Sequence, residues 1–370
     1  MQISLASSAW IALSLAPLVR LAPPVQDMSF EEYQPPSTLV VPETIVKRAK
    51  FPFVDIHNHQ WEMPTQDLDA LVADMDALNM AVMVNLSGRG RGEPEFLKGA
   101  LKNVDDNHPK RFLVFTNIRF DNIDEPDWTE RTVQQVRDDV ALGADGLKIY
   151  KSLGMQTSYS PWPRVAVDDP RIDPVWAVCG ELGVPVLIHS ADPAPFWQPW
   201  DKNNERWLEL KEKPGRRRDP KVNASFEQII QEHWNMFSKH PETTFISAHM
   251  GWMANDLDRL GALLDEHPNV HTEIGAVLAE LGRQPRHAKA WFERYQDRVL
   301  FGKDAWAPEE YYCYFRVLET EDEYFDYYRR RHAYWKMYGI GLSDEVLRKL
   351  YYKNALKMFP QLDRSLFPTD

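Results

Sequence analysis

The hydrophobic residues of the chain follow two alternating periodicities from residue 51 onwards. Short, nearly continuous apolar runs occupy residues 51–57, 81–86, 112–116, 146–150, 185–189, 244–249, 270–274 and 299–302. Runs of this length without polar alternation are typical of strands buried on both faces of a parallel sheet. The pattern therefore predicts eight strands.

The segments between these runs repeat apolar residues with helical spacing. The clearest faces are Leu68, Leu71, Met75 and Leu78; Val133, Val136 and Val140; and Leu257, Leu260 and Leu264. Strands that alternate with amphipathic helices indicate consecutive βαβ units. Because an open sheet of eight strands would leave edges to cover, we predict an α/β fold, a closed (β/α)8 TIM barrel.

Two stretches interrupt the repeat and predict loop insertions after strands 5 and 8. The first insertion, residues 191–225, is rich in Trp and includes Trp197; the second insertion, residues 309–341, is rich in Tyr. Loops that follow barrel strands lie at the catalytic face, so each insertion is either a lid or packing around the rim. On the lid interpretation, Trp197 contacts the substrate.

The chain is predicted to comprise three regions: residues 1–25, a lead-in at residues 26–50, and a barrel domain at residues 51–360. The first region is apolar up to Arg20 and is either a signal peptide or a disordered tail. A signal predicts a periplasmic or secreted protein, whereas a tail predicts a cytoplasmic one. No later segment is apolar enough to cross a bilayer, so no stable membrane insertion is expected beyond this signal.

The net charge and the cysteine count limit which binding partners and which type of fold are expected. A formal net charge of -12 disfavours nucleic acid, whose phosphates require basic patches. Two cysteines are too few for a disulfide framework. The expected partner is a small-molecule substrate, and the composition leaves open whether the protein is a homo-oligomer.

Polar side chains stand where several of the predicted strands end. His57 ends the first strand, and His59, two residues later, points to the same side of an extended chain. His189, His249 and Asp304 follow the fifth, sixth and eighth strands. Because a barrel gathers these strand ends around one axis, we predict a shared metal site. Histidines with a carboxylate suit Zn²⁺, Mn²⁺ or Fe²⁺ better than Ca²⁺ or Mg²⁺.

Two further cationic residues are candidates for the site. Lys148 lies near the end of the fourth strand, where a lysine is rarely buried without a purpose. It is either a carbamate that bridges two metals, a substrate-binding ammonium or half of a structural ion pair. Arg119, just after the third strand, binds either a substrate carboxylate or a surface partner.

Six motifs together resemble the amidohydrolase superfamily, in particular the amidohydrolase-related (amidohydrolase 2) group of metal-dependent TIM barrels. The matching segments are residues 53–59 (FVDIHNH), 146–150 (GLKIY), 186–189 (VLIH), 246–251 (ISAHMG), 300–304 (LFGKD) and 352–359 (YKNALKMF). The resemblance extends over roughly residues 51–360. One departure is Lys303, where the family usually has a small residue such as Thr.

The resemblance implies roles for the rim residues. His57, His59, His189 and Asp304 match the ligands of one metal, most simply Zn²⁺. His249 matches a position that acts on the substrate in single-metal members and binds the second ion in two-metal members. Lys148 matches the residue that is carboxylated in two-metal members, so one or two ions are expected.

Three functions follow as hypotheses. The first is hydrolysis of an ester, lactone or amide by a metal-activated water, with Asp304 as the base and His249 stabilising the oxyanion. The alternative is non-oxidative decarboxylation of an aromatic or unsaturated carboxylic acid. The third is a non-catalytic binding barrel with a structural metal closed by four ligands.

Overall fold

The structure, a computed structural model, describes residues 26–90, 92–158 and 164–369. The chain divides into two units, Met1–Leu39 and Val40–Asp370. In its described part, residues 26–39, the first unit has a turn at residues 30–32 and no helix or strand. The predicted signal or tail at residues 1–25 lies outside the described residues.

Eight parallel strands form the sheet of the second unit, and they pair in the order of the sequence. The strands are β1 (Phe53–Asn58), β2 (Met80–Asn85), β3 (Phe112–Asn117), β4 (Gly146–Ile149), β5 (Val186–Ile188), β6 (Phe245–Ser247), β7 (Val270–Glu273) and β8 (Val299–Leu300). Each of them coincides with a predicted apolar run. The predicted TIM barrel is therefore confirmed.

The barrel closes between its first and last strands by a few backbone contacts. The Ile56 amide donates to the Phe301 carbonyl at 3.0 Å, and the Asp304 amide donates to the His57 carbonyl at 2.6 Å. A parallel bridge joins Asn58 to Asp304 just beyond the end of β8. The closure therefore places His57 and Asp304 side by side at the carboxyl ends of the strands.

Helices surround the sheet, as the spacing predicts. They are α1 (Leu68–Leu78), α2 (Pro94–Asn107), α3 (Trp128–Leu142), α4 (Asp173–Leu182), α5 (Trp207–Glu212), α6 (Phe226–Lys239), α7 (Leu257–Glu266), α8 (Leu278–Gly282), α9 (Pro285–Tyr295), α10 (Tyr311–Glu319), α11 (Asp344–Arg348) and α12 (Asn354–Met358). Ser343 caps α11, as predicted, by accepting a hydrogen bond from the Val346 amide. No helix in the described ranges has the length and apolar character that a membrane span requires.

A cluster of aromatic side chains packs at the junction of the first and last strands. Phe53 on β1 packs against Phe301 with ring centroids 4.8 Å apart, and against Phe315 and Tyr351 at 5.6 and 5.9 Å. Phe315 belongs to α10, in the second insertion, and Tyr351 lies in the π-helical segment Lys349–Lys353 between α11 and α12. Because buried aromatic side chains contribute large apolar areas, these contacts hold the first and last strands together.

Candidate metal centre and active site

Three side chains that are distant in the sequence meet at the closure of the barrel. The Nε2 atoms of His57 and His59 lie 3.6 and 3.7 Å from the same Oδ1 atom of Asp304. One donor atom from each residue lies within 4.8 Å of the others. Two imidazoles and a carboxylate at this spacing are a suitable donor set for a divalent transition metal.

The tautomer of His57 is determined by Glu273. The His57 Nδ1 atom lies 2.9 Å from the Glu273 Oε1 atom, and a carboxylate can only accept, so Nδ1 carries the hydrogen. The Nε2 atom of His57 therefore presents its lone pair to the cluster. It is buried and has no hydrogen-bond partner among the described residues, which fits a metal ion as its partner. A carboxylate behind the histidine is the usual support for such a ligand.

Glu273, at the end of β7, is a site residue that the sequence analysis missed. Its side chain is fully buried and also accepts from the backbone amides of His249 and Gly275, both at 2.5 Å. One carboxylate thus anchors the His57 ring and the turns after β6 and β7. A charged residue that ends an apolar strand run was the available signal, because such a residue is rarely buried without partners.

Gly302 makes room for this carboxylate. A Cβ atom at residue 302 would lie 2.4 Å from the Glu273 Oε2 atom and 2.9 Å from the His57 Cβ atom. Those distances are shorter than van der Waals contact, so any larger side chain would displace Glu273 or His57. Glycine in the motif at residues 300–304 is therefore required by packing beside the cluster.

Asp304 combines a strained backbone with a strongly acidic side chain. Its φ of 87° lies in the left-handed region that residues other than glycine seldom adopt. Burial raises the pKa of its carboxyl group, but the nearby His57, His249 and His59 outweigh this and lower the pKa to about 2. Asp304 is therefore an anion at neutral pH, able to bind a cation or to accept a proton.

A directional hydrogen-bond chain links the histidines after β5 and β6. The Trp252 indole N–H, which can only donate, points to the His189 Nε2 atom at 3.3 Å. The His189 Nδ1 atom therefore carries a hydrogen and donates to the His249 Nε2 atom at 3.2 Å. The His249 Nδ1–H in turn donates to the Gly275 carbonyl at 2.7 Å.

This chain separates His189 from the cluster. The His249 ring packs beside the His57 ring with centroids 4.8 Å apart, whereas His189 reaches the cluster through His249. Both nitrogens of His189 are engaged by protein groups. The role of His189 as a direct metal ligand stays a prediction that its ring orientation does not support.

Burial favours the neutral form of three histidines of the centre. Burial lowers the pKa of His57 and of His189 well below the usual value, and lowers that of His59 to about 4. The positive charge of nearby Lys148 also lowers the pKa of all three histidines. Neutral imidazoles are the form that binds metal ions.

Lys148 lies below this cluster in a fully buried position. Its Nζ atom is 5.7 Å from the centre of the Tyr150 ring and has no hydrogen-bond partner among the described residues. Burial lowers the pKa of the ammonium to about 8, although the negative charges of Asp304 and Glu273 act to raise it. Both a free lysine beside one metal and a carbamate between two metals suit this environment.

A cavity of about 110 Å³, called the inner cavity below, opens beside the cluster. Its wall includes Asp304, His249 and His189 from the barrel, Asp192 and Arg206 from the first insertion, and Arg329 from the second insertion. Both insertions therefore cover the catalytic end of the barrel. The lid interpretation of the two insertions agrees with this placement.

The inner cavity has an excess of positive charge in its wall. Four cationic side chains line it, Lys151, Arg206, Arg216 and Arg329, together with three carboxylates, Asp192, Glu209 and Asp304. The lining therefore carries one more cation than anion. In a chain with a net charge of -12, this local excess favours an anionic ligand.

The two predicted substrate contacts lie away from the inner cavity. The Trp197 indole donates to the Ala224 carbonyl at 2.8 Å and packs edge-on against Phe226, while its neighbour Phe196 lines the cavity. Arg119 is 58% exposed and pairs with Asp121 at 2.8 Å, as in the surface alternative. Neither side chain is brought to the cluster by the fold.

Arg119 lines a separate groove of about 940 Å³ together with Trp61 and Tyr150. The Trp61 and Tyr150 rings stack near the His59 ring at centroid distances of 5.6 and 5.8 Å. The groove thus adjoins the outer side of His59.

Behind the histidines, His233 on α6 joins two strand ends. Its ring nitrogens contact the Ser190 and Ser247 hydroxyls at 2.9 and 3.0 Å. Burial lowers the pKa of His233 to about 3. The unfolded chain binds a proton near pH 6.5, so it holds more protons than the folded chain between these values.

We therefore expect the free energy of unfolding to fall as the pH decreases from 6.5 towards 3. His233 alone contributes up to about 1.4 kcal/mol per pH unit. Urea unfolding at pH 7, 6, 5 and 4 measures how steeply the free energy of unfolding depends on pH. In His233→Asn this dependence should be weaker, by the equivalent of up to one bound proton. His287→Asn, at an exposed histidine, is the control. Equal slopes for His233→Asn and the unmodified protein would contradict the prediction.

A family model described as Amidohydrolase matches residues 54–361, which is most of the chain and includes all eight strands except the first residue of β1. No curated protein matches the sequence. The sequence resemblance to the amidohydrolase-related group is confirmed by the family match.

Solved structures share the fold at low sequence identity. The 2,6-dihydroxybenzoate decarboxylase from Rhizobium is 15% identical with a TM-score of 0.51, over 84% of this chain and 99% of that one. The dihydroxybenzoic acid decarboxylase from Polaromonas sp. JS666, with bound manganese and the inhibitor 2-nitroresorcinol, is 13% identical with a TM-score of 0.55, over 85% and 99%. An amidohydrolase from Burkholderia multivorans is 14% identical with a TM-score of 0.48, over 83% and 99%.

Proposed function

Because the chain belongs to the amidohydrolase family, we propose that it is a metal-dependent enzyme that removes carbon dioxide, without oxidation, from a small aromatic carboxylic acid. The observation that carries this proposal is the inner cavity, where Asp304 and His249 face an excess of cationic side chains. A carboxylate substrate is drawn to such a wall. The fold shared with two dihydroxybenzoate decarboxylases supports the same substrate class.

The size of the inner cavity also favours a small substrate. Pockets for drug-sized ligands have volumes of about 300–1,000 Å³, whereas this cavity has about 110 Å³. A substrate with no more than one ring is therefore the appropriate class. Phe196 and Trp252 supply apolar and aromatic surface on the cavity wall.

His57, His59 and Asp304 are the residues that would hold the cation. The unpartnered Nε2 atom of buried His57 is the strongest sign that they fit one. A bound divalent cation supplies a Lewis acid that orients the substrate carboxylate. Zinc was the first expectation, but manganese is the first ion to test, since the Polaromonas decarboxylase contains it.

Asp304 is the proposed proton carrier. As an anion with a pKa of about 2, it must accept a proton before it can donate one. An ortho-hydroxyl group of the substrate supplies that proton, and the resulting phenolate moves negative charge onto the ring carbon that bears the carboxylate. Asp304 then protonates this carbon. The carbon–carbon bond breaks, its electron pair returns to the ring, carbon dioxide leaves, and water reprotonates the phenolate.

His249 limits how the substrate binds. Its Nδ1–H is engaged by the Gly275 carbonyl, so the ring offers only Nε2 to the inner cavity. That atom accepts from His189 and needs no proton of its own. The pair therefore forms a fixed wall beside Asp304.

Incubation of the manganese-loaded protein with 2,6-dihydroxybenzoate in D₂O tests the proposal directly. We expect release of carbon dioxide and a resorcinol with deuterium at the carbon that carried the carboxylate, because the new C–H bond takes its hydrogen from exchangeable sites. Related hydroxybenzoates are tested in the same way. Mass spectrometry measures the deuterium content of each product.

The same protein is assayed in parallel on esters, lactones and amides that bear a carboxylate. Hydrolysis of a panel member without carbon dioxide release from any acid would overturn the decarboxylase proposal and favour the first hypothesis. A tightly bound metal with neither activity would favour the binding barrel.

A further inference from the structure

Lys303, the residue that departs from the family pattern, is fully buried one residue before Asp304. Its Nζ atom donates to the Ala305 carbonyl at 2.5 Å and to the Glu310 carboxylate. Its side chain is 0% exposed. Burying an ammonium is unfavourable unless it is paired, so these contacts are necessary to keep Lys303 inside.

The contacts of Lys303 enclose the strained residue. Its backbone amide donates to the Asp55 Oδ1 atom at 3.1 Å, an atom that also accepts from the His57 amide at the same distance. On the other side of Asp304, the Ala305 carbonyl is held by Nζ. The turn that gives Asp304 its φ of 87° is thus fastened before and after that residue.

Glu310 connects this turn to the second insertion. Its Oε2 atom accepts from Lys303 and, at 3.3 Å, from the Arg329 guanidinium. Arg329 and Asp304 both line the inner cavity. The ion pairs therefore run from the strained turn to the cavity wall.

We infer that Lys303 is a positioning residue, and that the Lys303–Glu310 pair holds the Asp304 carboxylate in the geometry that binds the metal. Strained conformations at functional sites persist where surrounding contacts over-determine them. A small residue at position 303 could not reach Glu310, so this chain fastens its turn by an ion pair. The inference rests on the proposed metal site and not on which bond the enzyme breaks.

Titration of the metal-free protein with Mn²⁺, followed by electron paramagnetic resonance, tests the inference without an activity assay. Lys303→Met and Glu310→Gln are each expected to raise the dissociation constant about 10-fold or more, the usual effect of losing a residue that supports a ligand. The double variant should bind as weakly as the weaker single variant, because both changes break one pair.

Lys349→Met is the matched control. Lys349 forms an ion pair with Asp297, with a distance of 2.9 Å between Nζ and Oδ2, and this pair is remote from the site. A merely structural role would lower the melting temperature of Lys303→Met and leave Mn²⁺ affinity unchanged. If Lys303→Met does not fold, Glu310→Gln decides the matter. Dissociation constants within twofold of the unmodified protein would overturn the inference, and failure of the unmodified protein to bind Mn²⁺ would overturn the metal site as well.

Discussion

Replacing Asp304 by asparagine is expected to lower kcat for decarboxylation about 10³-fold, with a smaller effect on KM. The change keeps the size of the side chain but removes both the negative charge and the capacity to accept and return a proton. General acid–base groups typically contribute about 10²–10⁴-fold to a rate. Because Asp304 has a pKa of about 2, its charge is present throughout the pH range of an assay.

The control for this experiment is Asp326→Asn, an 80% exposed aspartate of the second insertion. It should leave kcat and KM unchanged. Metal content is measured on the same samples, because Asp304 is also a proposed ligand. Undiminished turnover by Asp304→Asn with metal still bound would show that Asp304 carries no proton, and the mechanism would have to be abandoned.

Removal of the metal with a chelator is expected to reduce activity below about 1% and to lower the melting temperature by several degrees. A ligand that binds only the folded state stabilises it by about 2.7 kcal/mol at 100 times its dissociation constant. Adding Mn²⁺ back should restore both activity and melting temperature, and Zn²⁺ shows whether the site discriminates between the two ions. Calorimetry and a decarboxylation assay measure the two effects on one preparation.

His57→Gln separates metal binding from a general effect on stability. This variant loses the Nε2 donor and should show little rise in melting temperature on addition of Mn²⁺. His240→Gln, at a histidine that pairs with Asp173 away from the site, should keep the full rise. An equal response of the two variants would contradict the assignment of His57 as a ligand.

The strand ends were the informative part of the sequence. His57, His59 and Asp304 were predicted to converge because a parallel barrel places the carboxyl ends of its strands around one axis. The structure brings their donor atoms within 4.8 Å of one another. His249 and Lys148 were assigned to the same rim by the same argument, and both lie at the cluster.

Residues outside the strand ends were harder to predict. Trp197 and Arg119 were chosen from their loops, but a loop position says little about the direction of a side chain. Trp197 faces Phe226 and Arg119 faces Asp121. Glu273 was missed for the opposite reason. A single carboxylate at a strand end does not reveal by itself that it supports a histidine more than 200 residues away.

By itself, the sequence determined the barrel and most of the polar residues at the carboxyl ends of its strands, although Glu273 was missed. These features depend on local periodicity and on where each apolar run stops, and both can be seen directly in the amino-acid sequence. Only the tertiary structure decided which histidine nitrogen carries a hydrogen, that Lys303 and Glu310 fasten the Asp304 turn, and that the inner cavity is cationic. Those properties arise from contacts between distant segments, whose distances and angles no local pattern encodes.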